Sequence, residues 1–170
     1  MNDPIELLKI EHQNIIRGLN LLTTTGKIFE DGTTPTNEIN ELIKFFRLYA
    51  DDAHHAKEEA ILFPRFILKN PSFSSETSPI SVLIDHHFLG RKIVANISKL
   101  DNQFPFHVND YNELLQRHIE IEDELFPQLA EENFDAKEIN DIAEEFSKAD
   151  EIRNLDELLK ILDRVEINIM

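Results

Sequence analysis

The 170-residue sequence contains no cysteine and only four glycines. Without thiols there is no disulfide framework, thiol nucleophile, zinc-thiolate site or iron-sulfur cluster, so any metal must be held by nitrogen and oxygen ligands. No apolar run approaches the roughly 20 residues of a membrane span. No apolar segment follows a basic start in MNDPIELLKIEHQ, so no secretory signal is read and the expected location is cytoplasmic. Basic residues are also scarce, with 17 Lys and Arg against 33 Asp and Glu, a formal charge of −16. That balance argues against nucleic acid and against an anionic membrane as partners. What is present is 41% hydrophobic residues in a chain long enough for one sizeable core.

The scarcity of glycine and the long apolar periodicities predict an all-α protein. Asp3-Pro4, with Glu6 completing a capping box, predicts a first helix from Pro4 to about Phe29. A second is expected from about Asn37 to Lys69, a third from Pro79 to about Leu100, and a fourth from about Val108 to Glu131 after a break at DNQFPFH, which leaves His107 in a loop. Two shorter helices should open at Asp135 and Asn154, each with a glutamate three residues on. The expected architecture is an up-down four-helix bundle over residues 1–133 with a C-terminal helical extension over 134–170.

An internal repeat carries the chemistry. HHAKEEAILFP (54–64) and RHIEIEDELFP (117–127) share His-x-x-x-Glu-x-x-Leu-Phe-Pro. Residues four apart lie on one helical face, so His55 with Glu59 and His118 with Glu122 each direct a nitrogen and an oxygen to one place. Counting by three and four, the second helix reads Phe45, Leu48, Asp52, His55, Glu59, Leu62, Phe66, and the fourth reads Tyr111, Leu115, His118, Glu122, Leu125. Both stripes are apolar except at the His and Glu and, in the second helix, at Asp52. The first helix has one polar break in its stripe, His12, and the third has His87. On the same count His54 faces solvent and is no ligand. His86, on a partly apolar stripe, could replace His87 or support it from outside; Asp52 could ligate or orient a ligand, and Tyr111 could line a pocket. A single core histidine is more often a hydrogen-bonded core residue than a ligand. Four imidazoles and two carboxylates buried together need partners, however, and a pair of metal ions satisfies them all. Nitrogen and oxygen donors suit iron, and the arrangement accommodates a bridging oxo or hydroxo group between two iron ions.

With these motifs the sequence resembles the hemerythrin-like family of HHE cation-binding domains over roughly residues 5–131, including EHQNI around His12 and Gly90-Arg91 after His87. The resemblance implies one iron on His12 and His55, another on His87 and His118, and bridges from Glu59 and Glu122. Oxygen-carrying hemerythrins have a further His where Arg91 stands and an Asp five residues after the last His. The four-His, two-Glu set is more similar to proteins that repair nitrosatively damaged iron-sulfur centres, which usually carry an additional cysteine-containing N-terminal segment. The implied function is a di-iron protein that binds, senses or reduces O2, NO or peroxide, with an electron-donor protein as partner where there is turnover. The alternatives are a non-catalytic iron sensor or store, and a metal-free acidic helical protein that docks through residues such as Ile142, Phe146 and Leu162. A ferritin-like site ranks last, because the chain has no Glu-x-x-His.

Overall fold

A computed structural model describes residues 3–170, and the described residues form six helices and no strand. Helix α1 spans Pro4–Glu30, opened by the Asp3 carboxylate, which accepts from the backbone N–H groups of Ile5 at 2.8 Å and Glu6 at 3.3 Å. Glu6 instead pairs with Lys9 at 3.5 Å. Helix α2 runs without interruption over 36–69 but changes its winding. It is α-helical over Thr36–Phe45, π-helical over Phe46–His55 and again over Glu58–Leu62, and α-helical over Phe63–Lys69. Helix α3 spans Pro79–Ile97, α4 Phe104–Asn133, α5 Ala136–Glu151 and α6 Leu155–Ile169.

Helix α4 begins before its expected start. Pro105 sits in its first turn, where the absent N–H would be unpaired anyway, so DNQFPFH does not break the helix and His107 is helical rather than in a loop. Pro127 likewise lies inside α4 without ending it. At the C-terminal side the expected caps form: Asp135 and Glu138 make a reciprocal capping box, and the Asn154 side chain accepts from Glu157 N–H.

Two apolar clusters form the core, and the helices cross them in alternating sense. Ile5, Leu8, Leu62, Phe63, Phe66, Ile80, Leu83 and Phe126 belong to one; Ile15, Leu19, Phe45, Phe46, Tyr49, Ile93, Val94 and Leu115 belong to the other. Helices α1 and α3 pass from the first to the second, and α2 and α4 return. The two C-terminal helices extend the clusters, α5 through Ile142 and Phe146 and α6 through Ile161, Leu162 and Val165. Between the clusters, on each of the four long helices, lies a buried polar layer.

Candidate metal centre

The polar layer holds five buried imidazoles and two carboxylates that carry no exposure at all, Glu58 and Glu122. Glu58 stands between two groups of histidines, its Oε1 3.2 Å from His54 Nε2 and its Oε2 3.3 Å from His87 Nε2. Glu122 repeats the arrangement from α4, with Oε2 3.0 Å from His12 Nε2 and Oε1 3.0 Å from His118 Nε2. His12, His54, Glu58 and Glu122 thus converge as one group, and His55, Glu58, His87 and His118 as another. His87 Nε2 and His118 Nε2 approach to 3.1 Å, and the His55 and His87 rings stack at 3.9 Å.

The donor set fits cations. His12 Nε2, His54 Nε2 and all four oxygens of Glu58 and Glu122 are buried without a hydrogen-bond partner. Buried polar atoms are almost always paired, and a cluster of lone pairs with none is the environment a metal ion satisfies.

Around these atoms a ring of carboxylates orients the imidazoles. The Nδ1 of His12 lies 2.7 Å from Asp123, that of His54 2.7 Å from Glu11, and that of His87 2.7 Å from Glu59. Asp51 approaches His55 Nδ1 at 3.5 Å. An Nδ1–H donated outward to a carboxylate fixes the tautomer and turns the Nε2 lone pair inward, the usual support of a metal-binding histidine. His118 differs, its Nδ1 having no partner.

Two basic residues tie this outer ring together. Arg91 Nε donates to both Asp51 oxygens at 2.9 Å, and its Nη2 donates to Glu59 at 2.8 Å. Buried Lys57 joins Glu11 to Asp150 of α5. Beside Arg91 a cavity of about 150 Å3 reaches His55 and His87, walled by Phe46, Gly90, Val94 and Tyr111.

Electrostatics follow from this packing. Burial alone would push His54 down, but the charge of the nearby Glu58 carboxylate and the bond to Glu11 raise it to about 10. His87 rises to about 9 against burial through Glu58 and Glu59. His55, by contrast, is pushed down to about 3, by burial and then by the charge of His87. Glu122 falls to about 2 and Glu58 lies well below the carboxylate range, because neighbouring histidines outweigh burial. Asp51 falls to about 2, burial being overcome by His55 and Arg91.

The structure therefore brings His12, His55, His87, His118 and Glu122 together, and corrects the reading of α2. His54, expected at the surface, is 1% exposed, and Glu58 rather than Glu59 occupies the centre. Glu59, 32% exposed, stands outside both groups and holds His87 from behind. Asp52 is exposed, and Asp51 takes the orienting place expected of it. The cause is the π-helical winding. A turn closed by i→i+5 bonds carries more residues than an α-turn, so the core face advances to Tyr49, Ala53 and His54 where a 3.6-residue count places Leu48 and Asp52. His86 does not replace His87; its half-buried ring lies 5.7 Å from that of His118, beside a surface pocket with Asp110 and Arg117. Tyr111 lines the cavity, edge-on to Phe46. Unread in the sequence were Glu11, Lys57, Asp123 and Asp150; the doubled His-His and Glu-Glu of HHAKEE was the available signal for the 54/58 pair.

A helical layer of converging histidines and carboxylates defines a cation-binding protein. The model of the hemerythrin HHE cation-binding domain matches residues 3–130, and the chain belongs to that family. Searches of curated proteins and of solved structures give no match. Among the described residues no helix is long and apolar enough to cross a membrane.

Proposed function

We propose that the chain is a non-haem di-iron protein that binds, senses or reduces O2, NO or peroxide. In this reading His12 and His54 would hold one iron, His55, His87 and His118 would hold the other, and Glu58 and Glu122 would serve both. The observation that carries it is that each of the two carboxylates offers one oxygen to each histidine group. Iron suits this all-nitrogen-and-oxygen donor set, and two reduced irons would supply one electron each to a small molecule.

The residues divide the remaining work. Asp51, Glu59, Glu11 and Asp123 orient the imidazoles, and Leu and Phe side chains on both sides of the layer exclude water. The cavity at His55 and His87 supports entry of the small molecule on that side, past Arg91 and Tyr111. We read the four long helices as an up-down bundle over residues 1–133, with 134–170 as its extension, in a cytoplasmic protein served by an electron donor where turnover occurs.

The test is the metal content and visible spectrum of protein loaded with Fe(II) without air, then exposed in turn to O2, NO and peroxide. The expected result is about two irons per chain, with bands that change for at least one of the three and are lost in Glu58→Ala or Glu122→Ala. A folded, colourless protein that takes up no iron overturns the reading. Iron uptake with no response to any of the three reduces it to an iron store.

A further inference from the structure

We propose that Asp150, on the C-terminal helix α5, is a positioning residue for the metal pocket of His12 and His54, acting through Lys57 and Glu11. The proposal rests on the di-iron reading and assigns part of that centre to a segment beyond the family match at 3–130.

Lys57 is 1% exposed. Its Nζ donates to Glu11 Oε1 at 2.5 Å and to Asp150 Oδ2 at 2.8 Å, beneath the Phe146 ring. Glu11 in turn holds His54 Nδ1 at 2.7 Å with its other oxygen. Burying an ammonium beside the Phe146 ring is costly, and an apolar residue would avoid that cost, so the ion pair is a poor device for stability alone. Its effect falls on Glu11. Lys57 draws charge from the carboxylate that orients His54, and Asp150 shares the load. Without the Asp150 charge, Lys57 acts on Glu11 alone, the hold on His54 Nδ1–H weakens, and Nε2 becomes a poorer donor. The other pocket is insulated from this chain, since its orienting carboxylates Asp51 and Glu59 answer to Arg91.

The experiment is an anaerobic calorimetric titration of the full-length, metal-free protein with Fe(II), alongside thermal melts. Asp150→Asn should leave one ion at wild-type affinity and weaken the other about tenfold or more. Arg65→Ala, which removes a different tie to α5 at Glu145, should bind both ions as wild type whatever its stability. In a Lys57→Met background, Asp150→Asn should no longer weaken that ion's binding, because the cation through which Asp150 acts on Glu11 is gone. Two ions bound at wild-type affinity by Asp150→Asn overturns the proposal and leaves the di-iron reading intact. So does an equal loss in Arg65→Ala, which would make α5 only a packing element. If Lys57→Met does not fold, the first two variants decide alone. Failure of the wild type to take up iron overturns both readings.

Discussion

His54 Nε2 lies 3.2 Å from Glu58 Oε1, four residues further along the same helix and with both side chains fully enclosed. Glu59, the adjacent carboxylate, is a third exposed and faces the opposite edge of His87. The two glutamates should therefore respond differently to loss of charge. Glu58→Gln removes a donor common to both histidine groups and should leave well under one iron per chain after gel filtration. Glu59→Gln removes only an orienting bond and should retain two irons with affinity lower by about tenfold. The reverse ranking would restore the α-helical register and remove Glu58 from the centre.

Much of this is legible in the sequence alone. Helix ends at Asp3-Pro4, Ser78-Pro79, Asp135 and Asn154 are set by local capping chemistry, which involves few residues and little context. His12, His87, His118 and Glu122 lie on helices of ordinary winding, and the 3.6-residue count puts them on the core face, where the structure buries them. In α2 that count fails, because HHAKEE permits two His-x-x-x-Glu registers and the choice depends on a π-helical winding that no local pattern announces. The orienting partners were out of reach for another reason. Glu11 and Lys57 are 46 positions apart, and Lys57 and Asp150 are 93, so only the packed helices bring them together.

The cavity beside His55 and His87 predicts a separation of metal loading from access. Val94 is nearly buried and walls the cavity. Val94→Phe should fill part of that space at a cost of about 1–3 kcal/mol in stability from overpacking. Iron content should stay at wild type while the reaction of the reduced protein with NO or O2, followed by stopped-flow absorbance, becomes slower. An unchanged rate would mean that the small molecule enters elsewhere.

Gly18 marks where α1 meets the start of the π-helical winding. A Cβ there would lie 2.8 Å from Phe45 Cε1 and 3.2 Å from Phe46 Cζ, and both rings are buried with little room to move. Alanine favours a helix over glycine by about 1 kcal/mol, but the overlap costs about 1–3 kcal/mol. Gly18→Ala should thus destabilise the protein by up to about 2 kcal/mol in urea unfolding. A stabilised variant would show that α2 yields at this junction.

The metal-free protein should be sensitive to alkali, because its buried layer is neutralised by its own protons. His54 and His87 are raised to about 10 and about 9 from an ordinary 6.5, so their contribution to stability is complete below 6.5 and is lost as pH rises through 9 to 10. Glu122, depressed to about 2 from 4.5, contributes stability above 4.5 that is lost as pH falls towards 2. His55, depressed to about 3, adds to the acid loss, since its stabilising share is present above 6.5 and disappears between 6.5 and 3. Melting temperatures of the metal-free chain should fall between pH 7 and 10 and again in acid. Bound cations would replace the protons on His54 and His87, so the iron-loaded protein should lose the alkaline decline and keep the acid one, where protons compete with metal for the imidazoles. Circular dichroism melts of both forms between pH 3 and 10 check this. A metal-free melting temperature that stays level from pH 7 to 10 would mean that His54 and His87 carry no proton there, and that Glu58 and Glu122 are neutralised some other way.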